Sequence, residues 1–431
     1  MKQYFLIFNF FWTILIFGCA SPKVNTSPIE LKEQKGNFAK ADTFLPSLLN
    51  KYPEYFDTLL KQSDKFKLQI IYTQIDRLPN NKPVFTNHYY NIDPDRYYYP
   101  ASTVKLPVAV LALQRLNELK IAGLDRNSTM ITEAAFAKQT AVYNDPSTKE
   151  GKPTIANYIK KILLVSDNEA FNRLYEFLGQ DYINDNLHKM GYDSAQIIHR
   201  LDVAMTEEQN RHTNPIKFHG PANEIIYQQP LLKSTLQYQT RYNFLGKGYM
   251  SNGSLKNEPF DFSKKNRLML TDLHSIVQSL LFPETVTQSK RFNITKDDYY
   301  FLYKHMSMMP GESLYPEYDS AYTDAYAKFL LFGGDGKIEN PSIRIFNKVG
   351  DAYGFLTDAA YIVDFEKGVE FMLSASIYCN SDEIFNDDQY DYDTVGFPFM
   401  KNLGQVIYDY ELKREKTNKP DLSSLKFNYK N

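Results

Sequence analysis

Apolar residues crowd the stretch from Leu106 to Leu116, with Val108, Ala109, Leu111, Ala112 and Leu113 between them, too densely for the single buried face of a surface helix. A helix enclosed on most sides is expected there. Ile155, Ile159, Ile162 and Leu163 keep the spacing of a second helix face. Ala170, Leu174, Phe177 and Leu178 begin a third, which Gly179 is expected to end. Further helices are expected over 45–60, 271–281, 296–306 and 396–412. Between these the pattern turns to β-branched and aromatic runs: 67–75, a turn at 78–83 and a returning strand at 84–90. The same character returns at 343–348, 358–363 and 369–377, the last two joined by a hairpin turn over 364–368. Strands at both ends of the chain with helices between them predict one sheet completed by the two ends. Residues 191–215 read as polar and irregular, and about 216–265, rich in Tyr, Asn and Gly, as an insertion.

The termini differ from this pattern. An apolar stretch from Tyr4 to Phe17 follows Met1-Lys2 and leads into Gly18-Cys19-Ala20-Ser21, too short for a membrane span and suited to a secretion signal over 1–18. Gly18 before Cys19 is similar to the lipobox of bacterial lipoproteins, which implies cleavage before Cys19 and lipid attachment to its thiol, and so an outer-membrane or periplasmic lipoprotein. Residues 19–43 have the composition of a tether, 44–412 that of a folded domain, and 413–431 that of a disordered tail. Lipidation of Cys19 would leave Cys379 as the one remaining thiol, so no disulfide could form. A chain of 431 residues, 43% hydrophobic, has ample core for one large domain with insertions, here expected to be monomeric. A net charge of −2 offers no footprint for nucleic acid. The seven histidines show no metal-binding spacing, no cofactor motif is present, and there is no G-x-S-x-G elbow.

Candidate chemistry sits at the head of the first helix. In Tyr99-Pro100-Ala101-Ser102-Thr103-Val104-Lys105, a serine and a lysine share one helical face a turn apart. A hydroxyl becomes a good nucleophile when a neighbouring base takes its proton, and a lysine whose charge is disfavoured by burial can be that base. The spacing alone recurs about twice by chance in a chain this long, and Ser423-Ser424-Leu425-Lys426 is the other case, in the polar tail. Ser166-Asp167-Asn168 lies between two apolar helices, where it serves either as a helix cap or as part of a site. Lys348-Val349-Gly350 follows on a strand.

In order and element type these three groups match S-x-x-K, S-D-N and K-T-G, and over residues 67–412 the chain resembles the class A β-lactamases and the wider penicillin-recognising serine hydrolases. The resemblance implies an α+β sandwich of the α/β class, with helices packed on an antiparallel sheet and an all-helical subdomain beside it. It also implies roles. Ser102 forms an acyl-enzyme, Lys105 assists its deprotonation, Ser166 relays a proton to the leaving nitrogen, and Lys348 supplies positive charge. Asn168 binds the substrate amide, the backbone N–H groups of Ser102 and Asp351 form the oxyanion hole, and Gly350 lets substrate approach the strand. Two departures stand out. Val349 replaces the hydroxyl residue that helps bind a β-lactam carboxylate. Arg200-Leu201-Asp202 resembles the start of the loop bearing the deacylating glutamate, yet counting onward puts Met205 at that position. Glu207 or Glu208 would serve if the loop were longer by two or three residues. The expected substrate is a β-lactam or a peptidoglycan-derived peptide or ester. A lipoprotein that is acylated without turnover is the non-enzymatic alternative.

Overall fold

The computed structural model describes residues 43–429. The expected signal 1–18, Cys19 and the tether up to residue 42 lie outside the described residues. Two helices, α1 (Phe44–Leu49) and α2 (Pro53–Lys61), stand where one is expected, because Pro53 lacks a backbone donor and starts a new helix at its first position. A hairpin, β1 (Gln69–Arg77) and β2 (Pro83–Tyr90), precedes the helices α3 (Lys105–Leu119), α4 (Ile155–Val165), α5 (Asn168–Lys189), α6 (Glu207–Arg211), α7 (Leu270–Leu281) and α8 (Lys296–Ser307). Three long strands, β3 (Ile343–Ala352), β4 (Phe355–Asp364) and β5 (Val369–Tyr378), lead to α9 (Phe397–Lys413).

The five strands form one antiparallel sheet in the order β3-β4-β5-β1-β2. Its two halves meet where β1 pairs with β5, Ile71 opposite Ser374 and Thr73 opposite Met372. Side chains sort with a period of two. Ile71, Phe346, Ala359, Tyr361 and Met372 enter a core shared with α3, α4, α5 and α7, whereas Ile70, Tyr72, Ile345, Leu356 and Phe371 enter one shared with α1, α2 and α9. With helices on both faces, β3, β4 and β5 bury nearly every residue, which is why they read as apolar runs, whereas β2 at the sheet edge is half-buried or exposed beyond Pro83. His274 of α7 locks the seam between β1 and β5, its ring nitrogens 2.9 Å from Thr73 Oγ1 and 2.8 Å from Ser374 Oγ. Burial lowers its pKa to about 4 and keeps it neutral.

Gly179 breaks α5 as expected: at φ 74°, ψ 158° it is not helical, and a second helical segment follows it directly and runs to Lys189. Two expectations need correction. The irregular stretch 191–215 contains α6, whose capping box joins Thr206 and Gln209. The tail after α9 is packed down to residue 429. Asn418 Nδ2 donates to Arg77 O at 2.7 Å, Asn81 and Asp421 exchange hydrogen bonds of 3.0 and 2.9 Å, and Arg344 lies 4.1 Å from the Tyr429 ring centre. Its few apolar residues each find a groove: Leu422 joins the core, with Leu425 and Phe427 packed against it. The stretch 216–265 forms short strands, of which Ile216–His219 pairs with Thr129–Thr132 and ties its start to the helical part.

Candidate active site

Ser102 lies on a short 3₁₀ turn, Ala101–Val104, ahead of α3, rather than within the helix. Ala101 takes the left-handed conformation (φ 46°), a costly one for a residue with a Cβ, and the chain turns sharply there. Thr103 anchors the turn, its hydroxyl donating to Pro100 O at 2.7 Å. The turn rests on β3. A Cβ built on Gly350 would stand 2.7 Å from Pro100 O and 3.0 Å from Ser102 N. Gly350 is therefore required for the approach of the Ser102 turn.

Lys105, the first residue of α3, is fully buried. Its Nζ donates to Asn168 Oδ1 at 2.7 Å and to Ser166 O, with Ser166 Oγ at 3.3 Å. Burial pushes its pKa down to about 7 against the opposing pull of Asp167, Asp351 and Asp202. The Ser166-Asp167-Asn168 triplet proves to be both cap and site component. Asp167 caps α5, accepting from Ala170 N at 2.7 Å, while Ser166 closes α4 in the left-handed conformation (φ 58°). That turn aims Ser166 and Asn168 at Lys105.

Lys348 reaches the same hydroxyl from the sheet. Its Nζ donates to Ser166 Oγ at 2.8 Å and to Val349 O at 2.9 Å. Burial holds its pKa well below the usual lysine range, and the nearby Lys105 lowers it further. Ser102, Ser166, Asn168, Val349 and Asp351 border one open cavity of about 620 Å³. Val349 sits at its edge, 2% exposed, and also packs into the core under α9. Crowding raises the pKa of the Asp351 carboxyl, with Lys348 and Lys105 pulling it down.

Glu207 and Glu208 do not border this cavity. Both fall in the first turn of α6, where Lys264 (2.9 Å) and, one turn on in the same helix, Arg211 (3.1 Å) hold Glu207, and Lys233 (2.9 Å) holds Glu208. These partners lower both carboxyl pKa values, Lys264 acting most on Glu207 and Lys233 on Glu208. The carboxylate that the loop does bring to the cavity is Asp202. It stands in the left-handed conformation (φ 57°) on a clamped base: Arg200 Nε donates to Glu176 Oε1 at 2.7 Å, and Leu201 N to Asn172 Oδ1 at 2.8 Å. Arg200-Leu201-Asp202 was the available sequence signal, but it pointed to the loop rather than to its third residue. Tyr326, Tyr353, Asp388 and Tyr390 also line the cavity, from segments that carry no motif.

Among the described residues no group of three His, Cys, Asp or Glu side chains is arranged to hold a metal ion, and no helix is long and apolar enough to cross a membrane.

Residues 53–248 match the model of a family described as the beta-lactamase enzyme family, a span that contains Ser102, Lys105, Ser166, Asn168 and Asp202 and stops short of Lys348. No curated protein matches the chain. Similar solved structures include a beta-lactamase from Chitinophaga pinensis (11% identity, 84% of this chain and 99% of that one, TM-score 0.45). Others are a beta-lactamase from Burkholderia ambifaria (14%, 81% and 98%, 0.43) and one from Xanthomonas campestris (12%, 84% and 97%, 0.43). Over residues 53–248 the chain is thus similar to the beta-lactamase enzyme family.

Proposed function

We propose that this chain is a serine hydrolase that opens an amide or ester through an acyl-enzyme on Ser102, with the β-lactam amide as the reference substrate of the class A type. The observation that carries this reading is the convergence of two buried lysines on Ser166 beside the cavity that holds Ser102.

In the neutral Lys105 amine, two N–H bonds point at Ser166 O and Asn168 Oδ1. The fourth tetrahedral direction, the lone pair, is left for the Ser102 hydroxyl proton. As Oγ attacks the acyl carbon, that proton passes to Lys105 Nζ and the carbonyl oxygen gains charge between the N–H groups of Ser102 and Asp351. Ser166 accepts from Lys348, so its own proton is free for the departing nitrogen or oxygen, and the Lys105 ammonium, 3.3 Å from Ser166 Oγ, replaces that proton and becomes neutral again. C–N or C–O cleavage leaves the acyl-enzyme. Asp202 then takes a proton from water, whose oxygen attacks the acyl carbon, and as the Ser102 oxygen departs that proton passes from Asp202 by way of Lys105 to it, which restores the starting enzyme. Asp202 takes this part because Glu207 and Glu208 are held elsewhere.

A second reading keeps the same steps but replaces the lactam by a peptidoglycan-derived peptide or a small ester. Val349 favours it, because the hydroxyl that would help bind a β-lactam carboxylate is missing. Both readings carry an envelope location, with secretion by residues 1–18 and lipid attachment at Cys19, supported by the apolar run and the Gly18-Cys19 junction.

The test is rapid-mixing kinetics with intact-mass detection on the protein and its Ser102→Ala and Asp202→Asn variants, using a chromogenic cephalosporin and p-nitrophenyl acetate. Ser102→Ala is expected to form no adduct. Asp202→Asn should acylate normally and deacylate about 10²–10⁴-fold more slowly, so that the adduct accumulates. Equal labelling of the Ser102→Ala protein would reject the nucleophile, and unchanged turnover in Asp202→Asn would reject the base.

A further inference from the structure

The residues lining the catalytic cavity include three aspartates, Asp202, Asp351 and Asp388, and no lysine, arginine or histidine among the described residues. Some carboxylates elsewhere in the fold are ion-paired, as Glu176 is by Arg200 at 2.7 Å and Glu312 by Arg344 at 2.8 Å. The three in the cavity form no ion pair among the described residues. The two lysines beneath them are turned inward, with Lys348 donating to Ser166 Oγ and Val349 O, and Lys105 to Ser166 and Asn168.

The rim is also aromatic. Tyr326, Tyr353 and Tyr390 line it, and Tyr353 (φ 54°) and Asp388 (φ 61°) both stand in the left-handed conformation. Tyr353 takes that conformation as the first residue of the two-residue turn, with Gly354 (φ 76°), that joins β3 to β4, and the turn sets its ring at the cavity. A lysine, Lys265, already lies 5.7 Å from the Tyr353 ring centre, so the open aromatic places are on Tyr326 and Tyr390. Ring faces and carboxylates without a direct ion pair in one cleft attract the same thing, a cation. A carboxylate entering the cleft meets the opposite: like charge from Asp351 and Asp388, no basic side chain among the lining residues, and the methyl groups of Val349.

We infer that the acyl donor taken by this site carries a positive charge, a primary or substituted ammonium group seated between Asp351, Asp388 and the tyrosines. This rests on the serine-hydrolase reading for the word donor, and on the cavity alone for the charge. An amino-bearing lactam, peptide or ester meets the requirement, and an anionic one without an amine does not.

The experiment separates the two. Binding of benzylammonium, benzyl alcohol and benzoate to the Ser102→Ala protein is measured by calorimetry, and again with Asp351→Asn/Asp388→Asn added. The expected result is benzylammonium bound more than about tenfold tighter than benzoate, a preference that shrinks as salt is added and falls below about threefold in the added double variant. In parallel, p-nitrophenyl esters of glycine, acetate and succinate should acylate wild-type Ser102 in that order of kcat/KM. Benzoate binding as well as benzylammonium, or a preference that survives the double variant, overturns the inference whether or not Ser102 reacts. Absence of acylation by all three esters, with the binding preference intact, instead overturns the hydrolase reading and leaves a cation-binding cleft.

Discussion

Lys105 holds a titratable amine in full enclosure among carbonyl and amide oxygens, and that conflict sets a pH dependence. With its pKa pushed down to about 7, the amine is largely neutral just above that pH. Only the neutral form can take the Ser102 proton. The single-turnover acylation rate is therefore expected to rise with pH, with a midpoint near about 7 and a plateau above; a flat profile would exclude Lys105 as the base. Stability carries the same sign. The folded chain holds this proton less tightly than the unfolded chain, whose lysine has its usual value of 10.5, so burial of the amine opposes folding fully below about 7 and fades as pH rises towards 10.5. The melting temperature of the wild type relative to Lys105→Met should accordingly climb over that window. At this scale the sequence was informative where partners are close in the chain: a lysine three residues after a serine can be read directly. It misled at Glu207, because the lysine that holds that carboxylate is 57 positions away, and nothing local distinguishes a tethered glutamate from a free one.

β3 carries Val349 and Asp351 to the cavity and Lys348 beneath it, and a buried polar network holds the strand in place. Lys328 Nζ donates to Met306 O and Asn347 Oδ1, both at 2.7 Å. Asn347 Nδ2 donates to Asp358 Oδ1 at 2.8 Å, and Asp358 Oδ2 accepts from the backbone of Phe329 and Leu330 at 3.2 and 3.0 Å. Burial pushes the lysine pKa down and the aspartate pKa up, and each opposes the shift of the other. Removing one partner leaves a buried charge unanswered. Asp358→Ala is expected to cost about 3–5 kcal/mol in urea unfolding, while the double change Lys328→Met/Asp358→Leu should cost less than the single one. If the double variant is as unstable as the sum of its parts, the pair is not coupled. The strands themselves were legible as apolar runs because the sheet is covered on both faces. The network was not: Asn347 and Asp358 read as interruptions of those runs, and the segment at 327–330 that they bind had no pattern of its own. Pro53 likewise acts through backbone geometry, which a count of apolar spacing does not register.

In the whole molecule the two ends of the chain close the fold, and the closure extends beyond the sheet. The seam of β1 and β5 could be anticipated from strands at both ends. The strap after α9 could not, because a composition rich in Lys, Asn and Ser resembles a disordered segment until its four spaced apolar residues meet their grooves. Arg414 starts the strap on Ile75 O and Asp76, Asn418 and Asp421 run it along the β1–β2 hairpin, and Leu422 enters the core. Phe427 then lies 4.9 Å from the ring of Tyr300 on α8, and Tyr429 shares a hydrogen bond of 2.9 Å with Ser307 beneath Arg344 of β3. Hairpin, α8 and the catalytic strand are thus joined by one segment. A chain ending at Glu415 keeps the Arg414 contacts and loses the rest. It should unfold with about 2–4 kcal/mol less stability, as expected for exposing a few apolar side chains. The loss should be reproduced in part by Leu422→Ala. Acylation of Ser102 well below the melting transition should stay within about threefold of the full chain, a change of less than 1 kcal/mol, because no strap residue borders the cavity. Unchanged melting in the shortened chain would show that the strap contributes nothing to the fold, and loss of acylation in a chain that remains folded would assign it a part in setting β3.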